Sequence, residues 1–390
     1  MALPADRTID VSKFPEQVRR FVDPDAPARM KGMVARGMVP MKPLVQVCAL
    51  YQIAAREGGE LADEAARTVR AMPLGTLKQI AAERLMAVVL DWLAALFIDT
   101  REVLQPVVLN KMTDEETLVR VASDCDDPAT LELVVSNQAR LLESPALVEA
   151  LFFNRRVRAS SVDRMLDFAA RNHMKLPNIP DYEAVVAAIA GTLPKSDEEA
   201  AAADAKFAAA QAALAELTGK SEEELEAIAE AVAAVSAAAE AGEGGAEDEE
   251  EEGHSKSAAG RIRDLNVAQK VRLAMMGNAN DRAVLIRDTN KIVARAVIRS
   301  PAVSDTEAMG YAKNKALLDE VILYIANNKK WTRHYQMKLC LVQNPKTPIG
   351  EALRFLGHLR ANDLRLIARS KGVPGPVAKA AKQLAATRMK

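Results

Sequence analysis

The stretch NNKKWTRHYQMK, residues 327–338, is where this sequence comes closest to chemistry. It interleaves Lys329, Lys330, Arg333 and Lys338 with Trp331, His334 and Tyr335. Cations draw the phosphates of a nucleic-acid backbone, and flat rings stack on unpaired bases. A plainer reading competes. Trp331 and Tyr335 are four residues apart, so one helix face would bury both and leave the cations as a solvated surface. Basic residues continue toward the C-terminus in Arg354, Arg360, Arg365, Arg369, Lys371, Lys379, Lys382, Arg388 and Lys390. Such a series attracts a polyanion, whether nucleic acid, an anionic lipid surface or an acidic protein. The candidate polyanion-binding set is therefore Lys329, Lys330, Trp331, Arg333, Tyr335 and Lys338, with Arg365, Arg369, Lys371, Lys379 and Lys382.

Catalytic chemistry finds little to stand on. The four histidines, His173, His254, His334 and His358, have no Cys, His or acidic partner at metal-ligand spacing. There is no phosphate-cradling GxxxxGK[ST], no GxGxxG and no GxSxG. Paired carboxylates in the middle of the chain are too common to single out a general acid and base. Asp99 and Asp288 lie in similar surroundings in two distant stretches of the chain, and helix capping accounts for both. A helical-repeat glycosylase would need a carboxylate and aromatics in a basic groove, and nothing in the spacing places Asp288 beside Trp331. No catalytic residue, metal or cofactor is expected.

The charges divide the chain. Residues 1–195 carry 24 Lys+Arg against 26 Asp+Glu, residues 196–252 carry 2 against 18, and residues 253–390 carry 26 against 9. An acidic segment is thus tethered to a basic one. Ser196 and Ser221 each open a Ser-x-x-Glu box that starts a helix. Phe207, Leu214 and Leu217 give the first of these Ala-rich helices a thin apolar stripe, and Gly219 would end it. Residues 241–260, AGEGGAEDEEEEGHSKSAAG, have almost no apolar content and read as a disordered linker. The longest apolar run, LMAVVLDWLAALFI at 85–98, is too short to cross a bilayer and reads as a core helix. MALPADRTIDVSKFPEQ carries no apolar signal core, and Cys48, Cys125 and Cys340 sit apart in apolar runs. A reducing cytoplasm is the expected compartment.

The elements that must carry all this repeat themselves. Asn137 and Asn154 close apolar runs, and Asn327 and Asn344 do so again at one constant offset along the chain. Asp124 and Asn314 keep the same offset, as do the RML at Arg164 and the RFL at Arg354. Two homologous halves, roughly 73–170 and 265–362, follow from this. Between their short helices stand corners such as QNPKTPIG. Here Asn344 suits a left-handed helix stop, Pro345 forbids continuation, and Thr347 with Pro348 suits the next helix start. Pro43, Pro128, Pro145, Pro374 and Pro376 mark further corners.

NPKTPIGEALRFLGHLRANDLRLIARSKGVP resembles one unit of HEAT-like and variant leucine-rich α-solenoid repeats, and the chain outside residues 1–20 and 190–262 is similar to helical-repeat proteins of bacteria. The resemblance implies an all-α fold: two tandem arrays of short stacked helices with an acidic, partly disordered insertion. The expected divisions are an N-terminal extension (1–20), a first array (21–190), an Ala/Glu-rich helical insertion (191–240), an acidic linker (241–262) and a basic second array (263–390). The leading expectation for function is a non-enzymatic cytosolic scaffold or adaptor for a protein partner. The alternative is a nucleic-acid-binding protein that uses residues 253–390 and is autoinhibited by its acidic insertion.

Overall fold

The computed structural model describes residues 8–190, 193–216 and 258–388. Every regular element among them is helical, and no strand occurs. The all-α expectation holds. Residues 217–257, which include the expected helix from Ser221, Gly219 and most of the expected linker, lie outside the described residues.

The chain forms two compact units: residues 1–165 with 172–175, and residues 166–171 with 176–390. The first opens with α1 (Glu16–Val22), α2 (Ala28–Ala35), α3 (Pro43–Glu57) and α4 (Gly59–Arg70). The expected N-terminal extension is part of this cluster. Ile9, Phe14 and Val18 are buried, and Gln52 pairs with both backbone groups of Ile9, accepting at 2.7 Å and donating at 2.9 Å. The array proper follows as α5 (Leu74–Ala82), α6 (Ala87–Leu96), α7 (Arg101–Leu109), α8 (Glu115–Asp124), α9 (Pro128–Ser136), α10 (Gln138–Glu143), α11 (Pro145–Phe153) and the first part of α12 (Ala159–Arg171), whose residues 166–171 count with the second unit. The second unit contains α13 (Tyr182–Ile189), α14 (Asp197–Glu216), α15 (Ala258–Arg263), α16 (Val267–Met276), α17 (Ala279–Leu285), α18 (Lys291–Arg299), α19 (Asp305–Lys313) and α20 (Asp319–Asn327). After a 3-10 turn at Trp331–Arg333 come α21 (Tyr335–Gln343), α22 (Ile349–Leu356), α23 (Ala361–Arg369) and α24 (Gly375–Thr387). The second unit starts upstream of residue 190 because α13 packs on α16.

Helices of some nine residues are too short to persist alone in water, so each depends on its neighbours. They share a common apolar spacing. Leu118, Val121 and Ala122 face inward on α8, Leu147, Val148, Leu151 and Phe152 on α11, and Val293, Ala294, Val297 and Ile298 on α18. Alternate helices stack. In the first unit α7 packs between α5 and α9, and α8 lies against α6 and α11. In the second, α18 packs between α16 and α20, and α21 lies against α19. Starts are set by short polar side chains: Asp114, Asp127 and Ser144 in one unit, Asn266, Asn278 and Ser304 in the other. Pro43, Pro128 and Pro145 occupy first-turn positions that need no N–H. The apolar run 85–98 is α6, with Leu90, Trp92 and Leu93 buried.

The acidic insertion's first helix, α14, is not detached. It lies on α15, buries Phe207, Ala210, Ala213 and Leu214, and sets the Phe207 ring 5.2 Å from the Arg272 guanidinium. Ser196 accepts from the Glu199 N–H at 3.2 Å, and the Glu199 carboxylate accepts from the Lys195 N–H at 2.6 Å. The Ser196 box thus reaches back one residue further than a standard capping box.

Candidate interaction surface

Corners between helices decide which side chains reach the outside. At Asn344 the backbone is extended (φ −86°), so the helix does not stop through a left-handed residue as the sequence led us to expect. The side chain does the work instead. Its Nδ2 donates to Ala312 and Asn314 carbonyls, both at 2.9 Å, and its Oδ1 accepts from the Lys346 N–H at 3.0 Å. Asn154 repeats this on Ala122 (2.7 Å), Cys125 (2.9 Å) and the Arg156 N–H (2.8 Å). Asn110 does so on Ala81 and Glu83, both at 2.7 Å, and on the Met112 N–H at 2.9 Å. Each Asn satisfies orphan carbonyls at the end of a helix about thirty residues earlier. Thr347 also departs from expectation: it donates to the Leu341 carbonyl of the preceding helix rather than capping the next.

The corner after α20 carries the stretch 327–338. Lys329, Lys330, Arg333 and His334 are exposed there. Trp331 is not available as a stacking platform: it is 5% exposed and packs edge-on against Tyr324, with ring centroids 6.2 Å apart. Tyr335 is engaged as well. Its hydroxyl donates to the Asp363 carboxylate and accepts from the Arg360 N–H at 3.0 Å, and the Arg360 guanidinium lies 5.0 Å from its ring centre. Burial and the Asp363 carboxylate push the Tyr335 hydroxyl above its ordinary range. Lys330 pairs with Asp305 at 3.3 Å.

Arg333, Lys338, Arg369, Lys371, Lys379 and Lys382 pair with no described carboxylate, nor does Lys329. The last five helices therefore combine free cations with unusually exposed apolar groups. Leu366 is 64% exposed on α23 and three residues from Arg369, and Ile349 and Leu353 stand out on α22. Arg388 is spent otherwise, donating to the Gly357 and Leu359 carbonyls.

One buried carboxylate is closely matched. Asp288 accepts from Lys270 at 3.0 Å, with the two side chains 2% and 9% exposed. It also accepts from the Asn290 N–H at 2.8 Å. Asn290, not Asp288, caps α18, and Asp99 is exposed with no capping bond. Asp181 is the most unusual carboxylate. It sits in the left-handed region (φ 49°) at the start of α13 without capping it, forgoing about 1 kcal/mol. Its Oδ1 instead accepts from Arg295 at 2.9 Å and Arg299 at 3.1 Å, and its Oδ2 is buried with no partner. No signal in the sequence linked these residues, which are 114 and 118 positions apart.

No protein-family model, curated protein or solved structure matches the chain. Among the described residues, no group of three or more His, Cys, Asp or Glu is placed to hold a metal ion. No helix among them is long and apolar enough to cross a membrane. The three cysteines are free thiols and buried, and burial pushes the Cys48 thiol up to about 11.

Proposed function

We propose that the protein is a non-enzymatic, HEAT-like helical-repeat scaffold of the cytoplasm that holds an acidic protein partner on its C-terminal helices. The mixed surface of α22–α24 carries this reading: Leu366 stands exposed beside Arg369, and Lys371, Lys379 and Lys382 are free. Acidic residues with interspersed apolar side chains on a partner would complement it. The alternate stacking of short helices, α7 between α5 and α9 and α8 between α6 and α11, supports the repeat assignment. Buried free thiols suit a reducing compartment. The test is fluorescence anisotropy of the full chain with a synthetic acidic peptide bearing leucines and with its leucine-to-alanine counterpart. Binding that weakens with Leu366→Ser and with the alanine peptide is expected; equal binding of both peptides overturns the reading.

A second reading, nucleic-acid binding through residues 253–390, is supported by the 26 Lys+Arg against 9 Asp+Glu there. The burial of Trp331, and the covering of the Tyr335 ring by Arg360, weigh against base stacking, so affinity would rest on phosphate contacts and fall steeply with salt. In this reading the acidic residues 247–252 compete with the polyanion. Replacing them by Gln and Asn should strengthen DNA binding at low salt, and an unchanged affinity would overturn the competition.

A further inference from the structure

We propose that Arg295 and Arg299 form a binding site for a phosphate-sized oxyanion, and that Asp181 occupies this site in cis. The two arginines are one turn apart on α18, so their guanidinium groups converge on one side of the helix. Both remain partly open, at 37% and 34% side-chain exposure. Arg299 is steadied from below by the Tyr324 ring, 5.8 Å away. Lys291 pairs with Glu320 at 3.4 Å, and Glu320 lies 3.8 Å from Arg295. Three cations therefore face two carboxylates, and removing Asp181 leaves three against one.

Asp181 fits the pair poorly. Both arginines share its single Oδ1, while Oδ2 is buried and unpaired. The residue also gives up its own helix cap and takes a left-handed backbone to get there. A tetrahedral oxyanion offers a separate oxygen to each guanidinium and an acceptor to spare. The matching positions of the first unit hold Gln105 and Leu109, so repeat packing does not require the arginine pair. An occupant already in the site lowers the apparent affinity of an external anion by the fraction of molecules in which the pair is free.

The test uses inorganic phosphate on the full chain, with chloride at equal ionic strength as the control. Asp181→Ala should raise phosphate affinity about tenfold over the parent protein, read as a saturable upward shift in melting temperature. Adding Arg295→Gln and Arg299→Gln should abolish the shift. Equal responses of parent and Asp181→Ala, or a shift that survives loss of both arginines, overturn the site. If Asp181→Ala does not fold, the parent decides: phosphate that displaces Asp181 should change amide exchange in the first turn of α13, and no change beyond the chloride control overturns the proposal. A phosphoserine peptide compared with inorganic phosphate then tells a partner-borne group from a free ion.

Discussion

Asn110 and Asn154 in the first unit stand where Ser300 and Asn344 stand in the second, both pairs related by the same offset. The corner bonds are the same in kind. Ser300 reaches the Met275 carbonyl at 3.4 Å, as Asn110 reaches Ala81 and Glu83. The ion pairs between stacked helices are not. On the first side the acid is on α6 and the base on α8: Asp91 accepts from Arg120 and from Thr117, both at 2.8 Å. On the second the polarity is reversed, with Arg282 on α17 and Glu307 on α19, 2.8 Å apart. The outer positions diverge further. Leu109, Met112 and Leu142 are exposed in one unit, and their counterparts are Arg299, Ala302 and Thr332. Carbonyls at helix ends must be satisfied whatever the side chains are. A buried pair needs only opposite signs, and an exposed ridge is free to change. The part that varies is the part that faces solvent.

The largest test of this comparison is at Asp288 and Asp99. Asp288→Ala leaves Lys270 buried without a counter-charge and should cost about 3–5 kcal/mol of unfolding free energy in denaturant. Asp99→Ala, at the matching but exposed place, should cost under about 0.5 kcal/mol. Similar losses would break the distinction. Next come the corners. Asn154→Ala and Asn344→Ala each strand buried carbonyls and should destabilise by about 2 kcal/mol, alike in the two units. A large inequality would mean that the corners are not equivalent.

A smaller effect separates the units by pH. The Arg101 guanidinium beside Asp127, helped by Thr130, holds that carboxyl well below the usual carboxylate range. A lowered folded-state value contributes stability that is complete above the unfolded value of about 4 and is lost as pH falls through the folded one. Arg101→Ala should therefore lower stability at neutral pH, by a small amount because Arg101 is largely exposed, and its difference from the parent should vanish as pH falls through the folded value. Circular dichroism along an acid titration reads it. The smallest stability effect is expected at the surface. Lys329→Glu with Arg333→Glu should leave the melting temperature nearly unchanged, within about 0.5 kcal/mol. It should weaken binding of a polyanion at low salt, and unchanged binding would move the interface to α22–α24 alone.

Much of the fold was legible because it is written in short-range pattern. Proline at first turns, Asn at helix ends and the constant offset between the halves need only local chemistry and a repeat. The corners at Asn110 and Ser300 were missed, although the spacing to Thr113 and Val303 copies that of Asn154 to Val157 and Asn344 to Thr347. Asn has two ways to stop a helix, a left-handed backbone or a side-chain bond, and sequence does not choose between them. The candidate surface was only partly legible. A cation without a counter-charge stays outside a folded core, which made Lys329, Arg333 and Lys382 easy to place. Whether Trp331 and Tyr335 stack outward or pack inward depends on Tyr324, Arg360 and Asp363. These are tertiary neighbours, as Arg295 and Arg299 are for Asp181.

The corner asparagines also bear on how the arrays would answer a pull. Each ties a helix end to one about thirty residues back, so tension along the backbone meets a series of short closed loops. Breaking one would release on the order of 100 Å of slack at ~3.4 Å per extended residue, and the next corner would still hold. Such a chain yields in steps, like stitches parting one after another, rather than in a single rupture.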